Sequence, residues 1–254
     1  MKQICVKLES IKKLKPYIYL LEFKSPYIAK QAKPGQFLHI KIENKLTILR
    51  RPFSIHNIKG SSIYILFKVR GRGTEALSQF RKGDFLDIIG PLGNGFNLPK
   101  KEKINILVAG GIGIAPLLFL AKRLNKAQGI AVLGSKSKQE VICESEFRKL
   151  GYKVLMATED GSRGFKGTAV GLLKNTLNKK CAMGNSNIYV CGPKEMFFEI
   201  NKILKEHPKA NCQVSFEQFM GCGLGICCTC SIETKNGYKK VCKDGPVFNI
   251  RDIW

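Results

Sequence analysis

Cys222, Cys227 and Cys230 stand at the spacing Cys-x4-Cys-x2-Cys, and Cys242 follows after eleven further residues. No other feature constrains this chain so strongly. Five of its ten cysteines lie between positions 222 and 242. In a reducing compartment such clustering points to metal rather than disulfides. The first three positions match the plant-type [2Fe–2S] spacing. Four thiolates must converge, so the backbone has to wrap closely around what they hold. Gly221, Gly223 and Gly225 allow that, because glycine accepts positive φ and takes no side-chain room. Structural zinc is the alternative. It usually shows two Cys-x2–4-Cys pairs, often with His, whereas here the fourth cysteine stands alone. No His lies between 208 and 254, which also removes a Rieske arrangement. Cys228 sits inside the Cys-x2-Cys and reads as a neighbour rather than a ligand. Cys5, Cys143, Cys181 and Cys212 lack such context and read as small buried hydrophobes.

The first hundred residues carry short strand-like runs, Tyr17–Phe23, Gln36–Ile42 and Ile63–Val69, separated by turns such as Lys33-Pro34-Gly35, Lys59-Gly60-Ser61 and Lys82-Gly83-Asp84. Closely spaced strands so punctuated predict a small antiparallel barrel. The pattern changes near Leu98-Pro99. Ile104–Ala109 is a continuous apolar run, as expected of a strand buried on both faces. Helix-like stretches at Ala115–Asn125, Glu144–Leu150 and Lys194–Lys205 alternate with strands at Gly129–Leu133, Val154–Ala157 and Ile188–Cys191, which predicts a parallel sheet. Beyond residue 210 the chain becomes a Gly/Cys loop followed by a hairpin around Asn236-Gly237.

Three segments have the chemistry of nucleotide contacts. Arg51-Pro52-Phe53-Ser54 offers a guanidinium for a phosphate and a hydroxyl for a ring edge. Arg70-Gly71-Arg72-Gly73-Thr74 precedes a predicted helix at Glu75–Phe80, with Thr74 as its cap. Gly110-Gly111-Ile112-Gly113-Ile114-Ala115-Pro116 joins a buried strand to a helix, where a parallel sheet presents amides to a pyrophosphate. Pro116 occupies the place of the last Rossmann glycine, so this is a different nucleotide loop. Cys191-Gly192-Pro193 ends another strand at the same edge. Each of these, taken singly, is equally a turn on the surface.

The formal net charge is +24, from 43 Lys+Arg against 19 Asp+Glu. The lysines run along the whole chain without a basic tail or an aromatic and arginine platform. That argues for a Lys-rich surface or an acidic protein partner, and against nucleic acid. No apolar leader follows Met1 and no apolar run is long enough to span a bilayer, so a cytoplasmic protein without membrane attachment is expected.

In this order the segments resemble the ferredoxin reductase superfamily and, more closely, the electron-transfer subunits of class 1B dihydroorotate dehydrogenases. The resemblance rests on Arg51-Pro52-Phe53-Ser54-Ile55, Gly90-Pro91-Leu92-Gly93-Asn94-Gly95-Phe96, the Gly110–Pro116 loop, Cys191-Gly192-Pro193-Lys194-Glu195-Met196, Met220–Cys227 and Val241–Phe248. It implies a multidomain β + α/β architecture: a six-stranded antiparallel flavin barrel over 1–98, a parallel-sheet NAD-binding domain over 99–210 and a small [2Fe–2S] domain over 211–254. It implies FAD held by Arg51, Pro52, Phe53, Ser54, Lys68, Val69, Arg70, Gly73 and Thr74. It places NAD(H) at Gly110, Gly111 and Gly113 and near Cys191, Gly192 and Pro193, with Cys191 close to the nicotinamide. Cys222, Cys227, Cys230 and Cys242 then ligate the cluster. The implied activity is electron transfer from a partner's FMN, through cluster and flavin, to NAD in pyrimidine biosynthesis. The implied partner is an FMN-containing catalytic subunit in a two-plus-two heterotetramer. The alternatives are an NAD(P)H:ferredoxin oxidoreductase-type subunit of another redox complex, or a zinc-bearing nucleic-acid module.

Overall fold

The computed structural model describes residues 1–42, 48–99, 103–124, 129–177 and 186–254. The first sheet contains β1 (Lys2–Lys15), β2 (Ile18–Lys24), β3 (Phe37–Lys41), β4 (Arg51–Ser54), β5 (Asn57–Lys59), β6 (Ser62–Lys68) and β7 (Phe85–Leu92) in the order β4-β3-β7-β1-β2-β6-β5. Every pairing is antiparallel. β1 joins the two halves: Lys2–Lys7 pair with β7, while Leu8–Lys15 pair with β2. A register shift between Leu8 and Ser10 marks the change and curls the sheet. Alternate residues fill its interior, among them Leu21, Phe23, Leu38, Ile40, Ile63, Ile65, Leu86 and Ile88. The helix α1 (Pro26–Gln31), capped by Ser25, and α2 (Arg72–Ser78) complete this half.

The sheet has seven strands where six were expected. The additional one, β5, is three residues long and folds back on β6 through Gly60 and Ser61, with Gly60 at φ +59°. Three residues are too few to display an alternation. Cys5 is exposed, contrary to its reading as a buried hydrophobe, because Ile4, Val6 and Leu8 take the inner positions of β1. Cys143 is half-buried, Cys212 is buried, and Cys181 lies outside the described residues.

The second sheet contains β8 (Ile104–Gly110), β9 (Gly129–Ser135), β10 (Lys153–Thr158), β11 (Phe165–Lys166), β12 (Ser186–Cys191) and β13 (Asn211–Ser215). They are parallel, in the order β11-β10-β9-β8-β12-β13. Its helices are α3 (Ile114–Arg123), α4 (Glu144–Lys149), α5 (Ala169–Leu177) and α6 (Lys194–Lys205). Ile106 and Val108 of β8 face the core with α5 and α6, whereas Leu107 and Ala109 face the core with α3 and α4. Both faces are therefore covered, which is why β8 reads as an unbroken apolar run. The expected helix end at Asn125 lies outside the described residues.

The segment 211–254 adds the hairpin β14 (Ser231–Thr234) and β15 (Gly237–Lys240), then β16 (Val247–Asn249) and α7 (Ile250–Ile253). It is not detached from what precedes it. β13 extends the parallel sheet beside β12, and β16 closes that edge antiparallel to β13. The expected boundary at 210 thus falls ahead of a strand of the sheet. Cys212 and Val214 fill the sheet core, while Gln213 bonds the backbone of Asn97 at the end of the barrel half. A five-residue strand with polar Gln213 and Ser215 carries little signal of such burial. Among the described residues no helix is long and apolar enough to cross a membrane.

Candidate functional site

A cleft of about 600 Å³ opens where the barrel, the β8–α3 connection and the chain beyond β13 meet. Arg51, Pro52, Phe53, Ser54, Lys68, Arg70 and Thr74 line it, so most of the residues expected at a flavin share one wall. Gly73 lies behind that wall. A Cβ there would meet Nε of Arg51 at 2.9 Å, so glycine lets the guanidinium lie across the start of α2. Val69 is half-buried and donates its N–H to the Tyr17 carbonyl. Thr74 is not the helix cap. It sits at the third helical position, and its hydroxyl accepts from the amides of Arg70 and Gly71 at 2.8 and 3.2 Å. Phe53 is buried edge-on against Phe67, with ring centroids 5.7 Å apart. Lys68 pairs with Glu140 at 3.1 Å, which ties β6 to the chain after β9.

The opposite wall has two sources. Ile112, Ala115 and Pro116 come from the glycine loop, and Ser215–Met220 continue from β13. Glu217 is open to water yet walled by protein. Burial raises its pKa, and the nearby Arg70 charge opposes that rise. The sequence reading missed this second stretch. Its one signal is the alternation Val214, Phe216, leading straight into Met220 and the first clustered cysteine.

Gly110, Gly111 and Gly113 do not line this cleft. They are drawn together with Cys191, Gly192 and Pro193 at the carboxyl edge of the sheet. A Cβ on Gly113 would stand 2.2 Å from the Cys191 carbonyl oxygen, and one on Gly110 would stand 3.0 Å from Cδ of Pro193. The strand-end turn and the glycine loop therefore touch backbone to backbone. The Cys191 thiol is buried, and that burial raises its pKa.

The cysteine loop lies on the outer face of the barrel. Amides of Leu224, Ile226 and Cys227 donate to Sγ of Cys222 at 3.3 to 3.4 Å, and Gly225 donates to Sγ of Cys242 at 3.1 Å. The amides of Cys222 and Cys242 reach Sγ of Cys227 and Cys230 at 3.3 and 3.4 Å. Gly223 and Gly225 hold φ of +70° and +82° to make these approaches. The thiols lie as two pairs, Cys222 with Cys227 and Cys230 with Cys242. The Thr229 hydroxyl, with amide help, pulls the Cys227 thiol down to about 6, whereas burial pushes Cys242 up to about 12. Among the described residues no three His, Cys, Asp or Glu side chains converge as one metal ion would require. Two sulfur pairs in an amide-lined concavity instead fit a group of two irons with two ligands each. Cys228 turns outward at φ +60° and is exposed.

The iron–sulfur cluster binding domain of dihydroorotate dehydrogenase B matches residues 217–254, and the oxidoreductase NAD-binding domain matches residues 107–202. The dihydroorotate dehydrogenase B (NAD(+)) electron transfer subunit of Desulforamulus reducens is 42% identical over 92% of this chain and 91% of its own length. That of Bacillus pumilus is 37% identical over all of this chain and 98% of its own. Among solved structures, an NADH-dependent reduced ferredoxin-NADP oxidoreductase superimposes with a TM-score of 0.85 at 29% identity, over 98% of this chain and 89% of that one.

Proposed function

The chain belongs to the family of electron-transfer subunits of dihydroorotate dehydrogenase B, and from that premise we propose that it carries electrons from a partner's FMN through a [2Fe–2S] cluster and FAD to NAD. The flavin supplies hydride exchange with the nicotinamide and one-electron exchange with the cluster; the protein supplies placement and electrostatics. Arg51 and Arg70, which both line the cleft, would hold the flavin's phosphates, and Ser54 would meet a ring edge. Phe53, on Phe67, stiffens that wall. Lys68, Val69, Gly73 and Thr74 complete the flavin side of the cleft. Gly110, Gly111 and Gly113 would receive the pyrophosphate of NAD against Cys191, Gly192 and Pro193. Cys222 and Cys227 would ligate one iron, Cys230 and Cys242 the other. We assign the units as 1–98, 99–210 and 211–254, with β13 shared by the last two.

One observation carries this reading. Ser215–Met220 form a wall of the flavin cleft, and the same stretch of chain runs directly into Cys222. A cluster there would be a covalent neighbour of the flavin wall. Leu224 and Ile226 are exposed beside it, where a catalytic subunit with its own flavin would dock. A two-plus-two assembly in the cytoplasm goes with that division of labour.

The test is an anaerobic visible spectrum of the purified chain before and after NADH. Flavin bands with broad iron–sulfur absorption, all bleached by NADH, are expected. The chain alone should reduce artificial acceptors with NADH and leave dihydroorotate untouched. Dihydroorotate oxidation by this chain without its partner would sink the division of labour.

A further inference from the structure

His39 is fully buried, and among the described residues neither ring nitrogen has a hydrogen-bond partner of ordinary geometry. Buried imidazoles are seldom left so, because an unpaired polar atom away from water is costly. Its position on β3 explains what it faces. Leu38 and Ile40 point into the barrel core, so Phe37 and His39 point the other way. Phe37 lines the flavin cleft and packs against the C-terminal segment. His39, two residues on, meets the cysteine loop. A Cβ on Gly223 would stand 2.4 Å from its Nδ1, so only glycine at 223 lets the loop come so near. The backbone carbonyls of Cys222 and Arg50 lie close enough to act on the ring. His39 thus stands between the carbonyl of the first clustered cysteine and the residue that precedes Arg51.

The geometry points to His39 as a positioning residue that seats the cysteine loop on the flavin barrel by donating an imidazole N–H to the Cys222 carbonyl, a role that rests on the reading that the four cysteines hold a cluster. An N–H dipole at this point turns its positive end toward the first clustered cysteine and so favours the more negative, reduced state of such a group. It also fixes the loop against the strand next to the one that carries Arg51-Pro52-Phe53-Ser54.

The experiment compares His39→Leu and His39→Asn with the unaltered protein in the full complex. It measures iron and flavin content and runs an EPR-monitored redox titration of the cluster. His39→Leu should keep its flavin and shift the cluster's reduction equilibrium against reduction about three- to tenfold, the worth of one hydrogen bond. His39→Asn places an amide nitrogen near the position of Nδ1 and should restore most of that shift. Loss of iron in His39→Leu with retention in His39→Asn would equally support the donor role. A leucine variant that titrates like the unaltered protein, or equal loss of iron in both variants, would overturn it. Unaltered protein with flavin but no iron–sulfur signal would overturn the underlying reading, whatever position 39 does.

Discussion

Two glycine-rich loops in this chain do opposite things with the same residue. In Gly110–Gly113 the glycine that matters most has ordinary helical backbone angles, and it is needed because another backbone lies against it: the Cys191 carbonyl would be 2.2 Å from a side chain at Gly113. In the cysteine loop, Gly223 and Gly225 are needed for positive φ as well as for space, and what lies against them are the side chains of His39 and Lys243. The first loop is shaped by the packing of β8 against β12. The second is shaped by its own amide–sulfur contacts. A loop built by sheet packing should fail as part of the fold, whereas one built around sulfur should fail alone.

The largest effect tests the second half of that contrast. Cys227→Ser should abolish the iron–sulfur absorption while the flavin bands remain, since Cys227 lies at the surface of the loop and does not itself line the cleft. Iron analysis and a visible spectrum check it, and equal loss of flavin would show that the two sites form one folding unit. The first half is tested by Gly113→Ala. Its methyl group would meet carbonyl and amide atoms that cannot rotate away, so a loss of about 3 kcal/mol in urea unfolding is expected, together with weakened reduction by NADH. Gly111→Ala is the control. Nothing lies within 4 Å of its added carbon, so it should cost only the left-handed backbone penalty, about 1 kcal/mol.

The same contrast explains what could be read from sequence. The helix at Lys194–Lys205 was legible because its apolar residues recur at helical spacing, and the strand run at 104–109 because cover on both faces leaves it unbroken. The cysteine loop was legible because its spacing and its glycines are local, and the fold gathers the sulfurs that the spacing singles out. β1 was not, since its fourteen residues carry lysines on the solvent side and split their pairing between two partners. Ser215–Met220 were missed as a cleft wall because nothing local marks them; β13 brings them there by pairing with β12, more than twenty residues back in the chain. Thr74 was expected as a cap because threonine caps are common, but Gly71 takes that place and Thr74 reaches back to its amide.

A smaller effect concerns the arginine across α2. Arg51→Ala removes the charge that reaches over Gly73, and should weaken flavin retention about tenfold to a hundredfold, the range for a charge-assisted contact to phosphate. Dilution followed by flavin fluorescence measures it. The sulfur loop should keep its iron in this variant, because among the described residues the guanidinium bonds to the carbonyls of Leu49 and Arg50, and neither belongs to the loop. Loss of iron along with flavin would join the two regions that the contrast separates.

The smallest effect comes from His56, which links the barrel to the glycine loop. Its Nδ1 lies 2.8 Å from the carbonyl of Ala115, in the first turn of α3. Burial lowers its pKa to about 4, against a partial rise from the Ala115 bond and from the charge of Glu146; Lys122 adds to the lowering. The unfolded chain therefore takes up a proton near pH 6.5 that the folded chain refuses until about pH 4. Stability from this group is complete above the unfolded value and falls as pH drops between the two. Between pH 7 and pH 5.5 the loss is about 1 kcal/mol. His56→Gln keeps a donor of similar reach and cannot titrate, so its urea midpoint should lose less over that interval than the unaltered chain does. If both curves fall in parallel, the acid sensitivity lies elsewhere. If the glutamine variant also reacts normally with NADH, the link between barrel and glycine loop depends on the hydrogen bond rather than on the imidazole.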